Sequence, residues 1–282
     1  MQDDYTIRIM GAEEVSLAVE WAAGEGWNPG LHDAGLFFSA DPQGFLVGLL
    51  DGEPIATISA VKYGGCFGFV GFYIVRPDQR GKGYGIRIWD AAMQSLAGRT
   101  VGLDGVMAQQ DNYRKSGFEL AYSNVRYAGR CTGQAPAHPG IVDLSSLPVY
   151  RVQAYDRPFF PDDRSLFIHS WINQPEGKAL GMMVDDELAG YGVIRKCRQG
   201  YKIGPLFADD ENSAHALFLA LQSEYSPDEP LYLDVPQVHP QAVSLAQDHG
   251  MTSDFETARM YAGEIPHLSV ERTFGVTTFE LG

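Results

Sequence analysis

The sequence predicts a mixed α/β (α+β) protein made of two domains of one fold in tandem. Three observations carry this. Segments recur at a single long offset, strand-like and helix-like patterns alternate, and a glycine-rich turn sits between a strand and an amphipathic helix. Gly117, Arg126 and Gly129 are answered by Gly250, Arg259 and Gly263, each 133 or 134 residues on. Glu53 after one hairpin turn is matched by Glu187, and Gly71 in one strand by Gly204 in another. Three collinear matches at so long an offset suit duplication rather than a solenoid. They place one domain at 1–132 and the other at 141–282. The Pro/Gly-rich stretch 133–140 is the linker between them.

Taken in order, Tyr5–Met10 alternates as a strand, and Ala12–Ala23 has apolar residues at helical spacing with Glu13 and Glu14 at its positive end. Asp51-Gly52 between apolar runs marks a hairpin. Phe67–Val75 reads as a strand, Tyr84–Leu96 as a helix and Thr100–Met107 as a strand. Asn112–Ser116 ends a short helix capped by Gly117.

Composition narrows the function. Hydrophobic residues make up 45% and charged residues 20% of 282, which suits a folded soluble chain. No apolar run is long enough for a membrane helix, so no membrane partner is expected. A net charge of −15 argues against nucleic acid as a partner. The three cysteines form no CxxC, no His pair has metal-ligand spacing and no signal segment opens the chain. A cytoplasmic protein without a metal is expected. Against this acidic background Arg76, Arg80, Lys82 and Arg87 crowd one window with Asp78, which fits either a small anionic ligand or a solvated surface.

That window contains Arg80-Gly81-Lys82-Gly83-Tyr84-Gly85, between a strand that ends in Arg76-Pro77 and a helix. Glycines there let the backbone approach a ligand and turn amide hydrogens toward it, and the helix start adds unpaired N–H groups. The arrangement suits a diphosphate. GxxxxGK[ST] is absent, and GxGxxG fails because position 86 is isoleucine. What is met is [QR]-x-x-G-x-[GA].

In this feature the chain resembles the GNAT superfamily of acetyl-CoA-dependent N-acetyltransferases. Asn112-Tyr113-Arg114-Lys115-Ser116-Gly117-Phe118 is similar to that superfamily's Y-x-K-x-G-F segment. The resemblance implies two GNAT-like domains, each a twisted, mostly antiparallel sheet flanked by helices. It implies that the turn from Arg80 to Gly85 holds the coenzyme diphosphate. The main chain of Ile74 and Val75 would pair with pantetheine where two strands diverge, and Tyr113 would return a proton to the leaving thiolate. Tyr113 also reads as a ring packed on the sheet with its hydroxyl in water.

The family's acceptor pocket maps to the loop Gly24–Asp33, where Trp27, Asn28, His32 and Asp33 are the candidate substrate contacts; the same loop also reads as a packed turn. The strand position where relatives carry a glutamate base holds Phe72 or Tyr73. The second copy has Asp209, Asp210 and Glu211 in place of the turn and is expected to keep the fold without the coenzyme site. The function expected is acetyl transfer from acetyl-CoA to a primary amine of a small, cationic molecule. A non-catalytic acyl-CoA-binding or sensing protein is the alternative, and a larger acyl or aminoacyl donor a third reading.

Overall fold

The computed structural model describes residues 4–133 and 138–282. Residues 134–137, half of the 133–140 linker, therefore lie outside the described residues.

The first half runs β1 (Tyr5–Ile9), α1 (Val15–Gly24), α2 (Asp33–Ala40), β2 (Phe45–Leu50), β3 (Glu53–Tyr63) and β4 (Phe67–Val75). It continues with α3 (Tyr84–Ser95), β5 (Thr100–Val106), α4 (Gln110–Lys115) and β6 (Phe118–Arg130). The second half repeats the plan with β7 (Ile141–Asp143), α5 (Val149–Asp156), α6 (Ser165–Ile172), β8 (Gly177–Val184), β9 (Glu187–Lys196) and β10 (Tyr201–Ala208). It closes with α7 (Glu211–Gln222), β11 (Pro230–Pro236), α8 (Pro240–Asp248), β12 (Thr252–Ala262) and a further strand β13 (Thr273–Gly275). The hairpin turns form where the residues tolerate positive φ: Asp51 and Gly52 at 50° and 84°, Asp185 and Asp186 at 49° and 65°.

The strands make one sheet in the order β1-β2-β3-β4-β5-β12-β6-β11-β10-β9-β8-β7, with β13 attached to β10. The two halves exchange their late strands. β12 lies beside β5 of the first half, and β6 lies beside β11 of the second. The mixed α/β fold is as expected. The exchange means that 1–132 and 141–282 share one sheet, with β12 between β5 and β6.

Two ion pairs fix the crossing. Arg259 on β12 sits opposite Asp104 on β5 and donates to both carboxylate oxygens at 2.9 and 2.6 Å. Arg126 on β6 sits opposite Asp234 on β11 and does the same at 2.7 and 2.8 Å. All four side chains are buried. These bidentate pairs are the structural content of the repeated arginines.

One face of the sheet is covered by a core common to both halves, in which α1 and α2 meet α5 and α6. Phe37 stacks on Trp171 at 5.9 Å between ring centres. The other face carries α3 over the first half, through Ile88, Trp89 and Ala92, and α7 and α8 over the second.

Removing one partner of a buried pair strands a charge, at a cost of about 3–5 kcal/mol. Arg259→Ala is expected to lower the urea-unfolding free energy by that amount, and Arg259→Leu with Asp104→Leu to restore most of it. A single variant as stable as wild type would show that the pair does not hold the exchange.

Candidate functional site

β4 and β5 run parallel only from Phe67↔Thr100 to Val70↔Leu103, then part. The cause is local. β4 is bulged against β3 between Gly71 and Ile74, and Phe72 at the bulge takes φ 48°, a costly conformation for a bulky residue. It is held because its ring is buried near Phe37 and Phe45, and its carbonyl accepts from the Thr57 hydroxyl at 2.9 Å. The opening between the parted strands leads into a cavity of about 530 Å³.

One end of that cavity is the glycine turn. Gly81 and Gly83 have φ of 75° and 87°, where a side chain would be strained. A Cβ at Gly85 would lie 2.7 Å from the Tyr73 hydroxyl. Among the described residues no side chain caps α3 at Gly83, and Gly83, Gly85 and Ile86 line the cavity at the helix start. The basic residues divide in their roles. Arg76 pairs with Asp78, while Arg80 donates to the Val75 carbonyl at 2.8 Å and to the Glu25 carboxylate, bracing the turn against the end of α1. Lys82 donates to the neutral Gln79 side chain at 3.1 Å, and among the described residues no carboxylate pairs with it. A cation without a carboxylate partner beside a glycine turn and a helix start fits a diphosphate.

Ile74, Val75 and Tyr113 line the same cavity. Tyr113 packs on Trp89 and against Gly105, where a Cβ would come within 2.3 Å of its ring. Burial, with a smaller contribution from Tyr73, pushes its hydroxyl up to about 12, so it stays protonated and able to donate. Lys82 and Tyr84 do not line the cavity. Tyr84 turns its ring onto Tyr5, and its carbonyl accepts from the Tyr5 hydroxyl at 3.2 Å.

Of the loop candidates, Trp27 reaches the cavity and Asn28, His32 and Asp33 do not. These three serve the seam with the second half, at the β9–β10 hairpin and at the residue just before β8. The Asn28 side chain exchanges two hydrogen bonds with the main chain of Gln199, His32 meets Glu176 at 3.0 Å, and Asp33 accepts from Arg195 at 3.2 Å. The physical reason is the buried Arg195, which requires a carboxylate beside it.

The other wall comes from distant sequence: Arg126 on β6, Phe255 and Thr257 on β12, and Phe279 and Glu280 of the C-terminal tail. Sequence reasoning marked Arg126 only as a repeat and passed over the rest. The one available signal was a lone acid in the apolar tail Phe279-Glu280-Leu281.

The second half has the same parting of strands without the opening. β10 leaves β11 after Ile203↔Leu233, but β13 enters the gap. It pairs with β10 at Leu206↔Gly275, and the Val276 N–H donates to the Asp234 carbonyl at 2.8 Å. Asp210 caps α7 by accepting from the Ser213 N–H at 2.9 Å, and just two residues separate β10 from α7. Among the described residues of the second half, the gap is filled by β13 and the helix start is capped by Asp210.

Residues 12–118 match the acetyltransferase (GNAT) family, and 152–275 match an acetyltransferase (GNAT) domain. A holothin acyltransferase of Pseudoalteromonas sp. (strain SANK 73390) is 30% identical over 99% of this chain and 95% of its own length. Among solved structures, a putative acetyltransferase from Pyrococcus horikoshii superposes with a TM-score of 0.83 at 20% identity, covering all of this chain and 97% of that one. A tandem GNAT protein from the clavulanic acid biosynthesis pathway gives 0.65 at 15%, covering 93% and 100%. With the cleft, the turn and these likenesses together, the chain belongs to the GNAT family and is an acyltransferase with two GNAT domains.

Proposed function

We propose that the protein moves an acetyl group from acetyl-CoA to a primary amine of a small molecule by direct attack, and that the first-half cleft alone does so. The observation that carries this is the pairing of an open β4–β5 gap with an uncapped helix start in the first half, against a filled gap and an Asp-capped helix in the second. Gly81, Gly83, Gly85 and Lys82 would hold the diphosphate, and the main chain of Ile74 and Val75 the pantetheine arm. Arg80 would act through the shape of the turn rather than as a free charge. The donor supplies an activated carbonyl. The chain orients it, shelters it from water and keeps a protonated phenol, Tyr113, on the cavity wall for the departing sulfur.

A small-molecule acceptor is supported by the confined volume behind the thioester end, walled by Trp27, Phe72, Phe255 and Phe279. The name of the relative, holothin acyltransferase, points the same way. Among the described residues no helix is long and apolar enough to cross a membrane. The free thiols of Cys66, Cys131 and Cys197 support a reducing, cytoplasmic setting for this chemistry.

Gly83→Glu places a carboxylate at the cradle in a conformation glycine favours. Calorimetry is expected to show acetyl-CoA affinity lowered by ~100-fold or more while the unfolding transition stays cooperative; wild-type affinity would remove the turn from the site. Tyr113→Phe is expected to lower kcat by about 10²-fold with acetyl-CoA affinity within about threefold of wild type. Unchanged kcat would take Tyr113 out of the mechanism.

A further inference from the structure

Amine acetylation requires an unprotonated nitrogen, and the parted strands carry no group to provide it. Phe72 is turned into the core and Tyr73 lies against Trp89. Two carboxylates at the cavity are already committed: Glu25 to Arg80, and Asp104 to Arg259 and the Asn124 amide. A third is not. Glu280 is 3% exposed and lines the cavity, and its Oε2 has no hydrogen-bond partner. A buried carboxylate oxygen left without a donor is costly to the fold and marks a place where a donor arrives with the ligand.

Its position follows from the path of the tail. After β13 has filled the second-half gap, the chain crosses the sheet to the first half. There the Glu280 carbonyl lies so close to β4 that a Cβ at Gly71 would stand 2.1 Å from it. Gly71 is the first residue beyond Val70, the last point at which β4 touches β5. A Cβ at the repeat-related Gly204 would likewise stand 2.6 Å from the Thr277 carbonyl. The paired glycines are thus two repeat-related places where the tail lies against the sheet. Tyr63 anchors it by donating to the Leu281 carbonyl at 3.1 Å.

We propose that Glu280, carried by the tail into the first-half cleft, is the general base that takes the proton from the acceptor's ammonium group. This rests on the amine-acetylation reading above. One ammonium proton passes to the Glu280 carboxylate, and the freed lone pair forms the C–N bond at the thioester carbonyl. The C–S bond then breaks with its electron pair leaving on sulfur. The second nitrogen proton replaces the one Tyr113 gives to the thiolate, and Glu280 returns its proton to water. Amide and free thiol are the products, with one proton released. Burial pushes the Glu280 carboxyl above its ordinary range. Lys202 from β10, Arg126 from β6 and Arg195 from β9 oppose that shift, and Asp33 from α2 adds to it. A base of raised pKa must be ionised to work, so activity falls as pH drops through that raised value.

The test compares wild type with Glu280→Gln and Glu280→Asp in the full chain, with acetyl-CoA as donor. Benzylamine, an ammonium ion at neutral pH, and aniline, a neutral amine, serve as acceptors over pH of about 5 to 9. With benzylamine, Glu280→Gln is expected to lower kcat/KM by ~10²-fold or more and to abolish the acidic limb, which Glu280→Asp retains in part. With aniline the loss should stay below about tenfold, and calorimetric acetyl-CoA affinity should stay within about threefold, since no proton need be removed before attack. Equal losses on both amines with coenzyme affinity kept would assign Glu280 to packing and overturn the proposal alone, as would an unchanged acidic limb. Wild type that acetylates neither amine would overturn the amine reading and this proposal together.

Discussion

The architecture depends on two arginines that face across the sheet. Arg126 and Arg259 stand on the exchanged strands β6 and β12, and each binds an aspartate of the half into which its strand has moved. In a buried setting such a charge is tolerable only with its carboxylate in place, so the ion pairs select the exchanged register over one in which each half keeps its own last strand. The result is a single sheet rather than two. That continuity lets a residue from either end of the chain reach the same cavity.

From one plan the two halves reach opposite ends through the same gap. Where two parallel strands diverge, each leaves backbone groups without a partner, and these must be met by ligand, water or chain. In the first half, β4 turns away at Phe72 and the gap stays open beside an uncapped helix. In the second, β13 supplies the missing strand and Asp210 supplies the missing cap. The protein's own tail thus takes the place that a coenzyme arm would take, and the chain beyond it walls the first-half cavity with Phe279 and Glu280.

Much of this was legible along the chain. Strand alternation, the Asp51-Gly52 turn and the glycine cap at Gly117 are local signals, and local geometry obeyed them. The glycine turn was legible for the same reason, since positive φ at Gly81 and Gly83 is a property of the residues themselves. The wall of the cavity away from that turn was not. Asn28, His32 and Asp33 have the chemistry of a site, but their partners are Gln199, Glu176 and Arg195, a whole domain away, and nothing nearby in sequence announces a seam. Glu280 has the converse history. An acid in an apolar tail looks unremarkable until the tail is threaded through one half and laid against Gly71 of the other. Arg126 and Arg259 showed their repeat spacing but not their function, because cross-strand pairing is decided by which strands become neighbours.

The central claim is that one gap in the sheet receives the acyl donor and the other is closed by the chain itself. The most direct measurement is a crystal structure with acetyl-CoA bound. The account predicts one molecule per chain, its diphosphate at Gly81–Gly85 and its arm between the parted ends of β4 and β5, with β13 still in place between β10 and β11. Coenzyme found between β10 and β11 with β13 displaced, or bound outside both gaps, would contradict it.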